Sequence, residues 1–68
     1  MFIELHALNG CAIYHNADRI NAVGLDQQNR TVIFYDNGEF VVEETVATVM
    51  GLILYGKNKG VTIAGGGE

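Results

Sequence analysis

The sequence predicts an α+β fold: a small antiparallel β-sheet or partly open barrel of four to five strands, followed by one helix and a short strand-like C-terminal tail. Three observations carry this. Thr31-Val32-Ile33-Phe34-Tyr35 and Glu39-Phe40-Val41-Val42 are rich in β-branched and aromatic residues and flank Asp36-Asn37-Gly38, where Asn-Gly supplies the positive φ angles of a tight hairpin. A second Asn-Gly pair, Asn9-Gly10, follows a stretch of alternating hydrophobicity. Val46, Val49, Met50 and Ile53 then recur at i, i+3, i+4 and i+7, the spacing of one buried helical face.

Taken in order, Phe2-Ile3-Glu4-Leu5-His6-Ala7-Leu8 alternates. Ile3, Leu5 and Ala7 share the core face, and Phe2, Glu4, His6 and Leu8 the wetter one. Cys11-Ala12-Ile13-Tyr14-His15 is the expected return strand. Asn16-Ala17-Asp18 reads as a turn, because Asn and Asp side chains bond nearby backbone N–H groups. Residues 19–25 read as a third strand, with a single helical turn at 17–21 as the other option. Asp26-Gln27-Gln28-Asn29-Arg30 is a polar loop leading to the Thr31 hairpin. The chain contains no proline, so no strand is demoted on that ground.

Glu43-Glu44-Thr45 starts the helix. Thr45 or Glu44 caps free N–H groups, and the two carboxylates complement the positive end of the helix dipole. Gly56 reads as the C-terminal stop. Val61-Thr62-Ile63 is the tail strand. The expected organisation is one domain over residues 1–63, then a flexible glycine-rich end over residues 64–68.

Length and composition bound the rest. A 68-residue chain buries only about 60 % of the surface its unfolded form exposes, and chains of this size usually add disulfides, a metal or a partner. Cys11 is the only cysteine, so neither an internal disulfide nor a cysteine-rich zinc cluster can form. Oligomerisation is the remaining source of stability. The apolar fraction is 49 %, too high for a disordered chain. The longest apolar run, residues 49–55, is far short of a membrane span. No basic region followed by an apolar run opens the chain, so no signal peptide is expected and a cytoplasmic location is the default. Four basic residues face eight acidic ones, a net charge of −4. Nucleic-acid affinity depends on neutralising phosphates, so a nucleic-acid partner is not expected.

Leu8-Asn9-Gly10, an aromatic before Asn16-x-Asp18-x-Ile20, Thr31-Val32-Ile33, Asn37-Gly38 and Val41-Val42-x-Glu44-Thr45-Val46-x-x-Val49 form an ordered set. The same order is found in short FlbD/SwrD-like proteins, and the chain resembles that family over residues 3–53. The family is small, cytoplasmic and associated with flagellar operons, and similar short chains occur in phage and mobile elements. The resemblance implies a small non-enzymatic adaptor. The chain departs from the pattern at Ala17, where the family carries proline, and at Ala47, Thr48, Gly51 and Leu52, where it carries charged residues. The tail from Lys57 to Glu68 has no counterpart.

Three groups of residues could carry chemistry. His6, Cys11 and His15 are of metal-ligand type, but their spacing matches no known module and no metal or other cofactor is expected. Asp18, Glu43 and Glu44 could work as an acid–base pair only within a cleft that tunes them. A chain this small has little cleft of its own, and capping and turn roles account for them, so no catalytic residue is assigned. Gly56-Lys57-Asn58-Lys59-Gly60 combines glycines with two cations. It could hold an anion, or simply be a solvated turn whose lysines complement the helix dipole.

The helix is the most informative stretch. Val46, Val49, Met50 and Ile53 cover one face, and Ala47, Gly51 and Leu54 lie on a second. Between Val46 and Leu54 only Thr48 is polar. A helix apolar nearly all round is buried on more than one side, and one small sheet covers only one. Ala47, Met50, Gly51 and Leu54 are therefore the expected interface of a homo-oligomer, unless the tail strand folds back over them. The expected function is a non-enzymatic, self-associating binding or adaptor protein acting on a host protein. The alternative is a phage-type oligomer that sequesters a small anionic metabolite, such as a nucleotide signal, in pockets between subunits. Arg19, Arg30, Tyr14, Tyr35, Lys57 and Lys59 would supply its rings and cations.

Overall fold

The computed structural model describes residues 1–58. The expected tail strand at 61–63, the glycine-rich end at 64–68 and Lys59 lie outside the described residues. The element order is β1 (Phe2–His6), β2 (Ala12–Asn16), a short 3-10 helix (Ala17–Arg19), β3 (Ala22–Leu25), β4 (Thr31–Tyr35), β5 (Gly38–Val42) and α1 (Val46–Asn58). β1 and β2 form a two-stranded sheet, and β3, β4 and β5 a three-stranded one. All pairings are antiparallel and join sequence neighbours. This is the α+β class the sequence predicts, and among the described residues the two sheets do not close into a barrel.

Two of the hairpins turn in the same way. Gly10 N–H donates to the Ala7 carbonyl at 2.8 Å and Ala7 N–H to the Cys11 carbonyl at 2.9 Å. Asn29 N–H donates to the Asp26 carbonyl at 3.0 Å and Asp26 N–H to the Arg30 carbonyl at 2.9 Å. In each, the residue after the β-turn has a positive φ, 90° at Gly10 and 63° at Asn29. This is the three-residue hairpin loop with a left-handed bulge residue. Side chains finish both turns: the Asn9 amide oxygen accepts from Cys11 N–H at 3.0 Å, and Asp26 Oδ1 accepts from Gln28 and Arg30 N–H groups at 2.9 and 2.8 Å.

The third hairpin corrects the sequence reading. Tyr35 pairs with Gly38, so the loop is Asp36-Asn37. Neither Asn37 nor Gly38 has a positive φ, and Gly38 belongs to the strand. Asp36 is held from outside by the Asn21 amide, which donates to its Oδ1 at 2.6 Å. Other boundaries move too. Cys11 belongs to the turn, not to β2. The expected third strand shortens: it begins at Ala22 rather than Arg19, and the alternative helical turn forms at Ala17–Arg19, capped by Asn16 Oδ1 accepting from Asp18 N–H at 3.1 Å.

Ile3, Leu5, Ala17, Ile33, Val42, Val49 and Ile53 form one buried cluster. It lies between the inward faces of both sheets and one stripe of α1. The alternation in β1 holds: Ile3 and Leu5 are buried while Phe2 and Glu4 are exposed. Each such aliphatic side chain contributes about 1.5–3 kcal/mol by leaving water. Thr45 caps α1, its Oγ1 accepting from Thr48 N–H at 3.1 Å. No acidic residue sits in the first turn, so the expected dipole role of Glu43 and Glu44 is not used there. Gly56 does not end the helix, which continues to Asn58. A Cβ at Gly56 would collide with the Met1 sulfur and lie 2.6 Å from Met1 Cε, so its missing side chain admits Met1 instead. No described helix is long and apolar enough to cross a membrane.

Candidate functional site

The buried stripe of α1 is narrow. Val49 and Ile53 are buried, Val46 is half-buried, and Met50, expected on the same face, is 37 % exposed. Gly51 stands two residues from both Val49 and Ile53, which at 3.6 residues per turn puts it on the opposite side. Ala47 and Gly51 form an exposed ridge there, flanked by Leu54 at 52 % and Tyr55 at 68 % exposure. A Cβ built at Gly51 meets nothing within 4 Å. From Val46 to Gly56 the helix carries no charged residue.

This apolar surface extends beyond α1. Phe2 is 66 % exposed. It shares a cleft of about 270 Å³ with Met1, Ile3, Leu52, Tyr55 and Gly56, and with Glu4 as the one charged side chain of the lining. On the other flank, Met50 and Ile53 face Ala17, Ile20 and Val23 across a cleft of about 400 Å³. The sequence reading named Ala47, Met50, Gly51 and Leu54 for this face; the exposed apolar residues beside them include Phe2, Leu52 and Tyr55. The available signal was Phe2, an aromatic on the polar side of an alternating strand.

The residues expected to hold an anionic ligand separate. Arg19 and Tyr35 share a cleft of about 220 Å³ with Asp36 and Asn37. Arg30 is engaged elsewhere: its Nε donates to Asp26 Oδ2 at 2.8 Å and its terminal nitrogen to Gln28 Oε1 at 3.1 Å, within its own turn. These contacts hold the Asp26 carboxyl below its ordinary range, the Arg30 backbone N–H being the largest influence. Tyr14 is exposed on β2, paired with Glu4, away from the residues lining the Arg19 cleft. Lys57 falls in α1, but its side chain, like Lys59, lies outside the described residues.

No protein-family model, curated protein or solved structure matches this chain.

The potential metal ligands lie on opposite faces of one hairpin. His15 pairs with Ile3 and is buried with it, whereas His6 pairs with Ala12 on the outer face. Cys11 is exposed in the turn. Among the described residues no three His, Cys, Asp or Glu side chains form a metal-binding group. The carboxylates are also dispersed in use: Asp18 Oδ2 accepts from the Met1 amino group at 3.0 Å, while Glu44 goes to His6.

Each histidine has a defined environment. Glu44 accepts from the His6 backbone N–H at 2.9 Å and stands 2.6 Å from its Nδ1, with Glu4 3.5 Å from Nε2. The Glu44 hydrogen bond raises the His6 pKa above its ordinary value, with smaller help from the charges of Glu44, Glu4 and Glu43. Burial pushes Glu44 upward, but the bonds from His6 outweigh it and leave the carboxyl below its usual range. His15 Nδ1 is hydrogen-bonded to the Tyr35 hydroxyl, and its Nε2 is buried with no partner. Its ring meets Phe40 edge-on at 5.0 Å. Burial lowers the His15 pKa and raises that of Tyr35.

Proposed function

We propose that this chain is a non-enzymatic, self-associating binding protein, of the adaptor kind represented by the FlbD/SwrD-like family, and that a second copy covers the ridge of α1. The observation that carries this reading is the uncharged, exposed face built on Ala47, Gly51, Leu54 and Tyr55. An isologous interface sets a surface against itself. On a chain of net charge −4, a charge-free face is the one that two copies can share without repulsion. Gly51 adds to this. Glycine inside a helix costs about 0.5–1 kcal/mol relative to alanine, and nothing in the described chain approaches Gly51 closely enough to require it. A neighbouring helix would. Copies joined there would present the adaptor's binding surfaces in pairs to a host protein.

Light scattering at micromolar protein tests the reading. The expected mass is that of a dimer or higher oligomer. Gly51→Leu has room within the single chain, so the expected product is folded, monomeric protein. A monomer mass for the wild type, or an unchanged oligomer for Gly51→Leu, would count against this face.

A second reading has one observation in its favour: Arg19 and Tyr35 do share a cleft, with Asp36 and Asn37. A cation, an aromatic ring and an amide suit a small anionic metabolite such as a nucleotide. If such a ligand is sequestered, melting temperature rises with nucleotide concentration, and Arg19→Ala abolishes the rise.

A further inference from the structure

The β1–β2 hairpin and the β3–β4–β5 sheet share no strand ladder. Among the described residues, the hydrogen bonds that cross from that hairpin to the sheet, or to the loop leaving it, all use a histidine. His6 N–H and Nδ1 reach Glu44, the His6 carbonyl accepts from Glu43 N–H at 2.8 Å, and His15 Nδ1 bonds the Tyr35 hydroxyl. The two rings sit in opposite chemical settings. Carboxylates face both nitrogens of His6, Glu44 at 2.6 Å and Glu4 at 3.5 Å. The hydrogen bond is to Glu44, and the Glu4 charge lies near the other nitrogen, so the imidazolium, with an N–H on each nitrogen and a positive charge, is the form this setting favours. His15 has one nitrogen on Tyr35, and the other is buried without any acceptor. A second N–H there would go unsatisfied inside the protein, a setting that favours the neutral ring.

We propose that His6 and His15 form a pH-set latch that docks the β1–β2 hairpin on the β3–β5 sheet, firm within a narrow pH window and looser on both sides of it. The groups that face His6 are Glu4 on its own strand and Glu43 and Glu44 in the loop before α1. Those that face His15 are the Tyr35 hydroxyl on β4 and, at longer range, Glu44. The signs follow from linkage. His15 contributes fully above the ordinary histidine value of about 6.5, and its contribution is lost as pH falls toward its lower folded value. His6 contributes fully below about 6.5, and its contribution is lost as pH rises through its higher folded value. The product is a maximum near pH 6.5, where the folded chain holds His6 charged and His15 neutral. The aliphatic core spans both sheets, so the latch acts on local opening of the hairpin in addition to its smaller share of global stability.

Native-state hydrogen exchange tests this. His6 points its backbone groups away from β2, so in an antiparallel ladder the next pair, Leu5 and Ile13, is the hydrogen-bonded one. An undocked two-stranded hairpin is marginal in water and frays. Opening constants for the Leu5 and Ile13 amides, corrected for intrinsic rate at each pH, are compared with that for Ile33 on β4 between pH 5 and 8. The expected hairpin-to-sheet ratio is lowest near pH 6.5. It rises on both the acid and the alkaline side by at most about tenfold per pH unit, one proton being exchanged on each. His6→Gln removes the alkaline limb and His15→Gln the acid limb. The wild-type measurement stands if the buried variant fails to fold, because imidazole NMR titration of the same sample assigns each limb to its ring. A flat ratio across the range, or hairpin and sheet amides that open together at every pH, overturns the latch. So does a limb that coincides with neither titration.

Discussion

Glu44 receives both the backbone N–H and the ring Nδ1 of His6, at 2.9 and 2.6 Å, across 38 residues of sequence. One carboxylate thereby closes the end of β1 and joins it to the entry of α1. Two of its consequences can be measured directly.

Replacing Glu44 with Gln removes the charge and keeps an acceptor for the backbone N–H. The His6 titration is expected to fall back toward the ordinary histidine value, because the Glu44 hydrogen bond is the largest cause of its rise. Wild-type stability falls as pH climbs through the raised His6 value, and the Gln variant shows a smaller fall. Imidazole NMR titration and urea midpoints at pH 6, 7 and 8 check both parts.

Asp26 works in the opposite sense. Its carboxyl is held low by the Arg30 backbone N–H and the other donors of its turn, so its contribution is present above the ordinary carboxylate value and lost as pH falls through the lowered one. Asp26→Asn is expected to flatten the acid limb of the urea midpoint between pH 5 and 2.5. An unchanged acid limb rules the turn out as its source.

Ile33 is fully buried within the aliphatic cluster. Ile33→Ala is expected to cost about 2–5 kcal/mol. Small domains hold about 5–15 kcal/mol in total, so chemical denaturation should show a chain near the edge of folding. The comparison is Leu25→Ala, an exposed position on β3, which should move the midpoint little.

The twin turns give a third kind of test. Gly10 at φ 90° and Asn29 at φ 63° both occupy the left-handed region. A β-branched residue there carries about 1–2 kcal/mol of strain. Gly10→Val and Asn29→Val should each lower the denaturation midpoint, while Asn29→Gly should preserve it. Equal effects of Val and Gly at position 29 contradict this.

Much of the architecture was legible because it rests on local pattern. Alternation around Ile3 and Leu5 marked β1, and the Val49 and Ile53 spacing marked the helix stripe. The bare ridge at Ala47 and Gly51 followed from counting more apolar faces than one sheet can cover. Other features are set at a distance. The reach of Glu44 to His6 lies beyond any window of periodicity, and so does the sharing of a cleft by Arg19 and Tyr35. Arg30 looked free because its charge was counted without the Asp26 turn that holds it. The Asn37-Gly38 pair misled in a different way. Its dipeptide signal is strong, but Asn21 anchors Asp36 from another element and the loop turns without a positive φ.

Every β-ladder among the described residues joins strands that are consecutive in sequence. That arrangement has a kinetic consequence. Loop-closure entropy is small for each hairpin, and chains dominated by near-neighbour pairing fold quickly for their class. The longer closures are those that bring the β1–β2 hairpin and α1 together with the β3–β5 sheet, through His6 and Glu44, His15 and Tyr35, and the packing of α1 on β1 and β3. The three-stranded β3–β5 sheet can therefore form first, while the two-stranded β1–β2 hairpin, marginal by itself in water, is held only once it docks. The slow event in this small protein is expected to be that docking, with the contact between His6 and Glu44 among the last to form.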